Sequence, residues 1–255
     1  MDLGLKGKVA VVTGAASEHG IGQASAIALA AEGADLAVVD IDLDGVQALA
    51  EKIKKMGRKS TAVKVDQGIY EEVRNSVAQI NEEFGKIDIL VNNAALTSNL
   101  GAIRKMLPEK WANEININLS GPYYWTREVL SIMMQNGWGR IINISSVGGM
   151  VGGKGLPGYA ASKGGLVALT KATAHEGASK GVTANVVSLG LVNTAVYRSG
   201  LLDPATVDGL KKKTLFGRMA EPNEAADVVA FIASERASFI TGANILVDGG
   251  MIINA

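Results

Sequence analysis

A phenol and an amine four residues apart, in Tyr159-Ala-Ala-Ser-Lys163, are the groups whose types and spacing could do chemistry, together with the hydroxyl of Ser146 thirteen residues upstream and the amide of Asn118 further back. A helix through 159–163 sets residues i and i+4 on one face, so phenol and ammonium meet there. A tyrosine with an ordinary pKa near 10 is almost wholly protonated at neutral pH, but an ammonium beside it favours the phenolate and pulls that value down. Tyr159 so tuned works as acid and base at a carbonyl or an alcohol. Taken alone, Tyr-x-x-x-Lys is also the spacing of an ordinary pair on a solvated helix face. The pair needs partners elsewhere in the chain.

Those partners begin near the N-terminus. Lys8-Val-Ala-Val-Val-Thr-Gly14 is a short β-branched run ending in glycine, followed by Ala15-Ala-Ser-Glu-His-Gly20-Ile-Gly22 and an alanine-rich stretch to about Glu32. This pattern predicts strand, glycine turn and helix. Such glycines let backbone approach a pyrophosphate, whose charge sits at the N-terminus of the helix. Leu36-Ala-Val-Val-Asp40 supplies a second buried strand with an acid at its tip, where a carboxylate accepts from the adenosine ribose. Further strand-like runs at 61–65, 88–91, 140–144, 183–188 and 244–247 alternate with helical stretches. Alternation of that kind predicts one α/β domain over 1–255, a Rossmann-type doubly wound parallel sheet of about seven strands with helices on both faces and ligands at the carboxyl ends of the strands.

With these motifs in order, the chain resembles a classical short-chain dehydrogenase/reductase over nearly all of its 255 residues. The resemblance extends to Val65-Asp66, Asn92-Asn-Ala-Ala95, Ile117-Asn118-Leu119, Gly139-Arg-Ile-Ile-Asn-Ile-Ser-Ser146 and Asp248-Gly249-Gly250. It implies that Tyr159 exchanges a proton with the substrate oxygen while hydride moves to or from a nicotinamide, that Ser146 holds that oxygen, and that Lys163 lowers the tyrosine pKa and binds the nicotinamide ribose. Asn118 would help to hold a water linking Lys163 to solvent. Ser145 competes for the serine role, but family spacing to Tyr159 favours Ser146.

Cofactor binding is implied for Gly14, Ser17, His19, Gly20, Ile21 and Gly22 in the turn and for Asp40 at the ribose. Asp66, Asn92 and Ala94 are also assigned to it, as are Val192 and Thr194 near the carboxamide. Bland roles stand beside these: Ser146 as a strand-end cap, Asn118 as a polar residue bending a helix, Thr194 as a turn or capping threonine. The chain also departs from the family. Five residues separate Gly14 from Gly20, two more than usual; Ala95 stands for glycine, and Leu189-Gly190 for Pro-Gly. Asp40, with no lysine or arginine at Ile41 or Asp42 and with His19 before Gly20, favours NAD over NADP.

Composition bounds the function. The 25 basic and 25 acidic residues balance without a basic cluster, which speaks against nucleic acid and for a small-molecule substrate. No apolar run approaches the ~18 residues needed to cross a bilayer, and the chain enters its first strand almost directly, so no membrane association and a cytoplasmic location are expected. There are no cysteines, hence no disulfide or thiol chemistry, and no carboxylate–histidine cluster has metal-ligand spacing; His175 is expected on the helix after Lys163.

Residues 195–217 are expected to form a lid, with Val196, Tyr197, Leu201 and Leu202 making an apolar pocket together with the pliant wall of Gly148 and Gly153. Lys154 and Arg198 could grip an anion, although solvated charges are the commoner outcome. The leading function is NAD-dependent oxidation or reduction between a secondary alcohol and a ketone, on a small, largely apolar or cyclic substrate. A 3-ketoacyl (ACP or CoA) reductase is the alternative. It is weakened by Met133-Met-Gln-Asn-Gly-Trp138, where carrier-protein reductases often carry bases, yet kept open by Lys180 and Arg140. Enoyl reductases of related fold use a wider Tyr-to-Lys spacing, and a noncatalytic NAD-binding sensor is the alternative of another class. Family members commonly pair the helices at about 108–135 and 158–180, so a homotetramer is expected, with small residues such as Ala161, Gly164, Gly165, Ala168 and Ala172 at the contact.

Overall fold

Strands covered on both faces must be apolar without alternation, and Val9–Thr13, buried at every position, sets that pattern. A computed structural model describes residues 2–97, 101–198 and 203–254, with Val196 described in its backbone alone. In chain order the elements are β1 (Val9–Thr13), α1 (Ile21–Ala31), β2 (Asp35–Asp40), α2 (Leu43–Lys55), β3 (Ser60–Lys64), α3 (Tyr70–Phe84), β4 (Ile89–Asn92), α4 (Pro108–Ile115) and α5 (Gly121–Asn136). They continue with β5 (Gly139–Ser146), α6 (Gly148–Val151), α7 (Pro157–Gly177), β6 (Val182–Leu189), α8 (Ala195–Arg198), α9 (Pro204–Lys211), α10 (Pro222–Ile232) and β7 (Asn244–Val247). The sheet is parallel in the order β3-β2-β1-β4-β5-β6-β7.

Because side chains alternate along a strand, Ala10 and Val12 join Leu29 of α1, Leu49 and Ile53 of α2 and Val229 of α10 on one face. Val11, Ala37 and Val39 join Val77 and Ile80 of α3 and Trp125, Val129 and Met133 of α5 on the other. β1 lies between β2 and β4, so the chain leaves β1 and β4 in opposite directions and opens a crevice between their carboxyl ends. The glycine turn, Asp40, Asn92–Ala95 and Ser146 stand at the carboxyl ends of β1, β2, β4 and β5.

The expected helix at 108–135 is interrupted by a π turn at Asn116–Ser120. Two local causes are visible. The Asn118 side chain bonds outward to Leu96, and Pro122 has no N–H to return to the Asn118 carbonyl four residues back. The expected 158–180 helix is α7 followed by a 3₁₀ turn at Ala178–Lys180. Among the described residues no helix is long and apolar enough to cross a membrane.

Candidate active site

Gly14 turns the chain out of β1 with φ +67°, and a Cβ there would lie 2.6 Å from the Ala94 Cα. A Cβ on Gly22, the second residue of α1, would strike the Gly14 carbonyl and the Asn93 amide. These positions admit only glycine, and the result is a crevice walled by backbone. Asn93 staples its two sides, donating through Nδ2 to Thr13 O (3.0 Å) and Gly14 O (2.9 Å), while Thr13 Oγ1 accepts from the amides of Asn93 (3.0 Å) and Ala94 (3.1 Å). α1 opens at Gly20 with no side-chain cap and no acid in its first turn, so its leading amides and positive dipole end remain for an anion.

Gly20 N–H donates to Ser17 O (2.9 Å); Ser17 and His19 are exposed on the loop and Ile21 is partly buried. The extra loop length folds onto α2, where a Cβ on Gly45 would lie 2.6 Å from the Ala16 Cβ. It therefore stays beside Asp40, whose Oδ2 accepts from Ala16 N–H (3.0 Å) and Oδ1 from Asp42 N–H (3.2 Å). The backbone crevice, the open helix start and this carboxylate fit a dinucleotide.

One of the expected side-chain contacts is corrected. Asn92 shares the pleat of Leu90, so its side chain is fully buried toward α5 and α7. It donates to Asn143 Oδ1 (2.8 Å), and Asn143 donates to Thr170 Oγ1 (2.7 Å). Its side chain ties β4, β5 and α7 together and faces away from the crevice, whereas that of its neighbour Asn93 faces it. Asp66 is partly buried, with Oδ1 accepting from Gly68 N–H (2.8 Å) in its own loop. Next to it Gln67, not anticipated, donates to Ala94 O (3.0 Å) and Ile117 O (2.8 Å), holding the Ala94 loop against the π turn.

The reacting groups come from β5, α7 and the π turn. Ser146 ends β5, and its Oγ accepts from Gly148 N–H (3.1 Å); a Cβ on Gly148 would lie 3.4 Å from that oxygen and 3.8 Å from the Tyr159 ring, so the two side chains face each other across a glycine. Ser145 points to the other side and donates to Lys163 O (2.9 Å). Lys163 is buried, with Nζ 5.7 Å from the centre of the Tyr159 ring and donating to Ile144 O (2.8 Å). Asn118 spends its side chain on Leu96, accepting its N–H (2.7 Å) and donating to its carbonyl (2.8 Å). Both polar atoms of its side chain are therefore occupied, and Pro122, four residues on, has no N–H for its carbonyl.

The electrostatics correct the expected tuning. Burial raises the Tyr159 pKa above its ordinary value, hydrogen bonding with Ser146 works against this, and Tyr197 and Glu114 add to the rise. Lys163 is itself lowered to about 8 by burial. The desolvation of both groups outweighs the attraction expected between phenolate and ammonium.

Tyr197 of α8 is partly buried near Tyr159, and burial raises its pKa too. Val192, just beyond β6, is buried and bridged to Ala220, and its carbonyl accepts from Thr194 N–H (2.7 Å). Gly153 lies on an exposed loop against Leu156. The Val196 side chain, Leu201 and Leu202 lie outside the described residues, so of the expected lid the described parts are 195–198 and 203–217, its far end pinned by Leu215 N–H to Gly249 O (2.8 Å).

Arg198 donates to Asn193 O (3.1 Å) and Glu221 Oε2 (3.0 Å), a paired surface charge rather than an anion grip. Arg140 is buried against Trp138 and donates to Ser234 O (3.3 Å) and Gly139 O (2.9 Å), so it is not available to a carrier protein. Lys154 and Lys180 are exposed, as is His175 on α7, and no group of metal-ligating side chains occurs among the described residues.

Comparison with known proteins agrees with this geometry. The family model described as enoyl-(acyl carrier protein) reductase matches residues 14–252. The 3-oxoacyl-[acyl-carrier-protein] reductase FabG of Escherichia coli (strain K12) is 38% identical over 249 residues, covering 98% of this chain and 99% of that protein. The acetoacetyl-CoA reductase of Shinella zoogloeoides is 38% identical over 243 residues, covering 95% and 98%. The crystal structure of gox2181 superposes with a TM-score of 0.94 at 33% identity, covering 99% of this chain and 98% of that one. A seven-stranded parallel sheet with Ser146, Tyr159 and Lys163 gathered at its carboxyl edge, matched along the full chain by such relatives, makes this protein an oxidoreductase of the short-chain dehydrogenase/reductase family.

Proposed function

We propose that the protein interconverts a secondary alcohol and a ketone using NAD. The observation that carries this is the meeting of Ser146, Tyr159 and Lys163 beside a glycine-walled crevice that ends at Asp40. A nicotinamide dinucleotide bound there supplies the hydride acceptor or donor. In the oxidative direction Ser146 donates a hydrogen bond to the substrate oxygen, the Tyr159 phenolate takes the hydroxyl proton, and the carbon–oxygen double bond forms as the carbinol hydrogen leaves with its electron pair. In reverse the phenol returns the proton. The buried Lys163 holds its charge within reach of the ring and passes protons toward the Asn118 carbonyl.

Two relatives named for 3-oxoacyl and acetoacetyl substrates favour a 3-oxoacyl thioester as a second substrate class. Burial of Arg140 removes one of the two bases that kept a carrier protein open, which supports a free or CoA-linked substrate over a carrier protein. Secondary alcohols, ketones and 3-oxoacyl-CoA thioesters, followed by nicotinamide absorbance, separate these readings. Tight dinucleotide binding with no turnover on any of them would instead mean a noncatalytic sensor.

Cofactor choice follows from Asp40. Its carboxylate is fixed by two amides at the ribose position, and a 2′-phosphate would bring negative charge beside it. At least ~10-fold preference for NAD over NADP is expected, since about 1.4 kcal/mol gives that ratio. Asp40→Ser should narrow it, and equal kcat/KM for the two cofactors in the unmodified protein would overturn the assignment.

A homotetramer working in the cytoplasm completes the proposal. Gly164 and Gly165 are taken up by the chain itself, since a Cβ there would lie 2.9 Å from the Gly149 carbonyl oxygen and 2.8 Å from the Leu119 side chain. Ala161, Ala168 and Ala172 form an exposed small-residue stripe on α7, and Trp111 and Tyr123 are exposed on α4 and α5. Light scattering at micromolar concentration should give four times the chain mass; a monomer would refute the assembly.

A further inference from the structure

Glu114 is the one residue of α4 that is fully buried, at 0% exposure. Both its carboxyl oxygens are enclosed, and neither closes a hydrogen bond of ordinary geometry. The side chain runs under the start of α7, where a Cβ on Gly158 would collide with Oε2. That helix begins without a side-chain cap: Leu156 offers none and Pro157 has no N–H. Ala160 N–H is satisfied by Leu156 O (2.9 Å), which leaves the amides of Gly158 and Tyr159 as the orphans of the first turn. Two influences act on the Glu114 carboxyl: burial, which raises its pKa, and the Tyr159 amide, which works against that rise.

We propose that Glu114 is a positioning residue for this reaction: beneath the first turn of α7, its carboxylate holds the opening amides of the helix and so sets the placement of Tyr159 opposite Ser146. The contact links the carboxylate to the backbone of the very residue that exchanges the proton. The same charge also opposes formation of a second anion on the phenol, consistent with the rise it contributes there. The titratable groups around it are few. Tyr159 faces it from α7, with Tyr197 of α8 acting on the same phenol. Lys110, one turn back on α4, is exposed, and the adjoining π turn at Asn116–Ser120 carries no titratable side chain.

The inference rests on Tyr159 being the acid and base of the proposed reaction, and its test reads the phenol with and without turnover. Glu114→Gln removes the charge and keeps the shape; Glu114→Leu also removes the acceptor. Alkaline ultraviolet difference absorbance, each protein measured against its own Tyr159→Phe counterpart, isolates the Tyr159 titration. It should move to lower pH in Glu114→Gln, and the rising limb of kcat/KM for alcohol oxidation should move to lower pH with it. Glu114→Leu should lower kcat by at least ~10-fold through misplacement of the phenol, with NAD affinity unchanged and partial recovery in Glu114→Gln. A titration and pH profile that superimpose on the parent's overturn the proposal, even if stability falls, and so does a parental kcat in Glu114→Leu. If either substitution fails to yield folded protein, the other still decides through the titration. Absence of turnover in the parent would overturn the proposed reaction and leave the titration readable.

Discussion

Tyr159→Phe is expected to lower turnover by ~10²–10⁴-fold, the range for losing a general acid or base, while dinucleotide affinity stays nearly unchanged. The substitution removes one hydroxyl and keeps a ring that packs beside Gly148 and above Lys163. A proton must still leave the alcohol as hydride departs, and Tyr159 is the one phenol that faces Ser146 among the described residues. Ser146 is already an acceptor for Gly148 N–H and is far too weak a base. Because burial raises the Tyr159 pKa, alcohol oxidation should keep rising with pH through the alkaline range rather than levelling off near neutrality. Undiminished activity in the variant would remove Tyr159 from the mechanism. So would a flat pH profile measured under conditions where chemistry limits the rate.

The layer architecture was readable in the sequence because buried parallel strands announce themselves as short unbroken runs of Val, Ile and Ala. The seven runs expected lie within two residues of the strands observed. The Tyr159–Lys163 pair was readable because one helical turn fixes its neighbourhood locally, whereas the choice of Ser146 over Ser145 came from the spacing of the family it resembles.

What was hidden depends on which way a side chain faces after the chain has packed. Asn92 and Asn93 are adjacent and identical in type, yet the pleat sends one into the core and the other to the crevice; the parity of Leu90 and Val91 was the signal that could have separated them. Gln67 and Glu114 are polar residues whose burial only the docking of other elements reveals. The two extra loop residues looked like a threat to Asp40, and they are absorbed by a gap at Gly45 in a helix 25 or more residues away. The sign of the tyrosine shift was missed because helical spacing shows proximity to Lys163 and says nothing about the desolvation both groups suffer.

That desolvation makes Lys163→Met the second large expectation, with opposite effects on activity and stability. Turnover should fall by at least ~10²-fold, since the proton path behind Tyr159 loses its charged end. Stability near neutral pH should rise. Lys163 titrates at about 8 in the folded protein against 10.5 for a free side chain, so between those values the unfolded chain holds the proton more tightly and the parent gains stability as pH increases. Below about pH 8 the ammonium is buried with its full penalty, roughly 3 kcal/mol at 1.36 kcal/mol per pH unit. Loss of the bond from Nζ to Ile144 O offsets part of the gain in the variant, by about 1.5–3 kcal/mol for a charged donor. The net increase at pH 7 is therefore small, on the order of 1 kcal/mol. Its pH dependence is the sharper reading. In urea titrations the difference between Lys163→Met and the parent should shift against the variant by roughly 2 kcal/mol between pH 7 and pH 10, as the parent's lysine sheds its proton and its penalty. A difference that stays constant over that range would mean that the folded protein does not hold Lys163 as a strained, desolvated ammonium, and the proton path assigned to it would go with it.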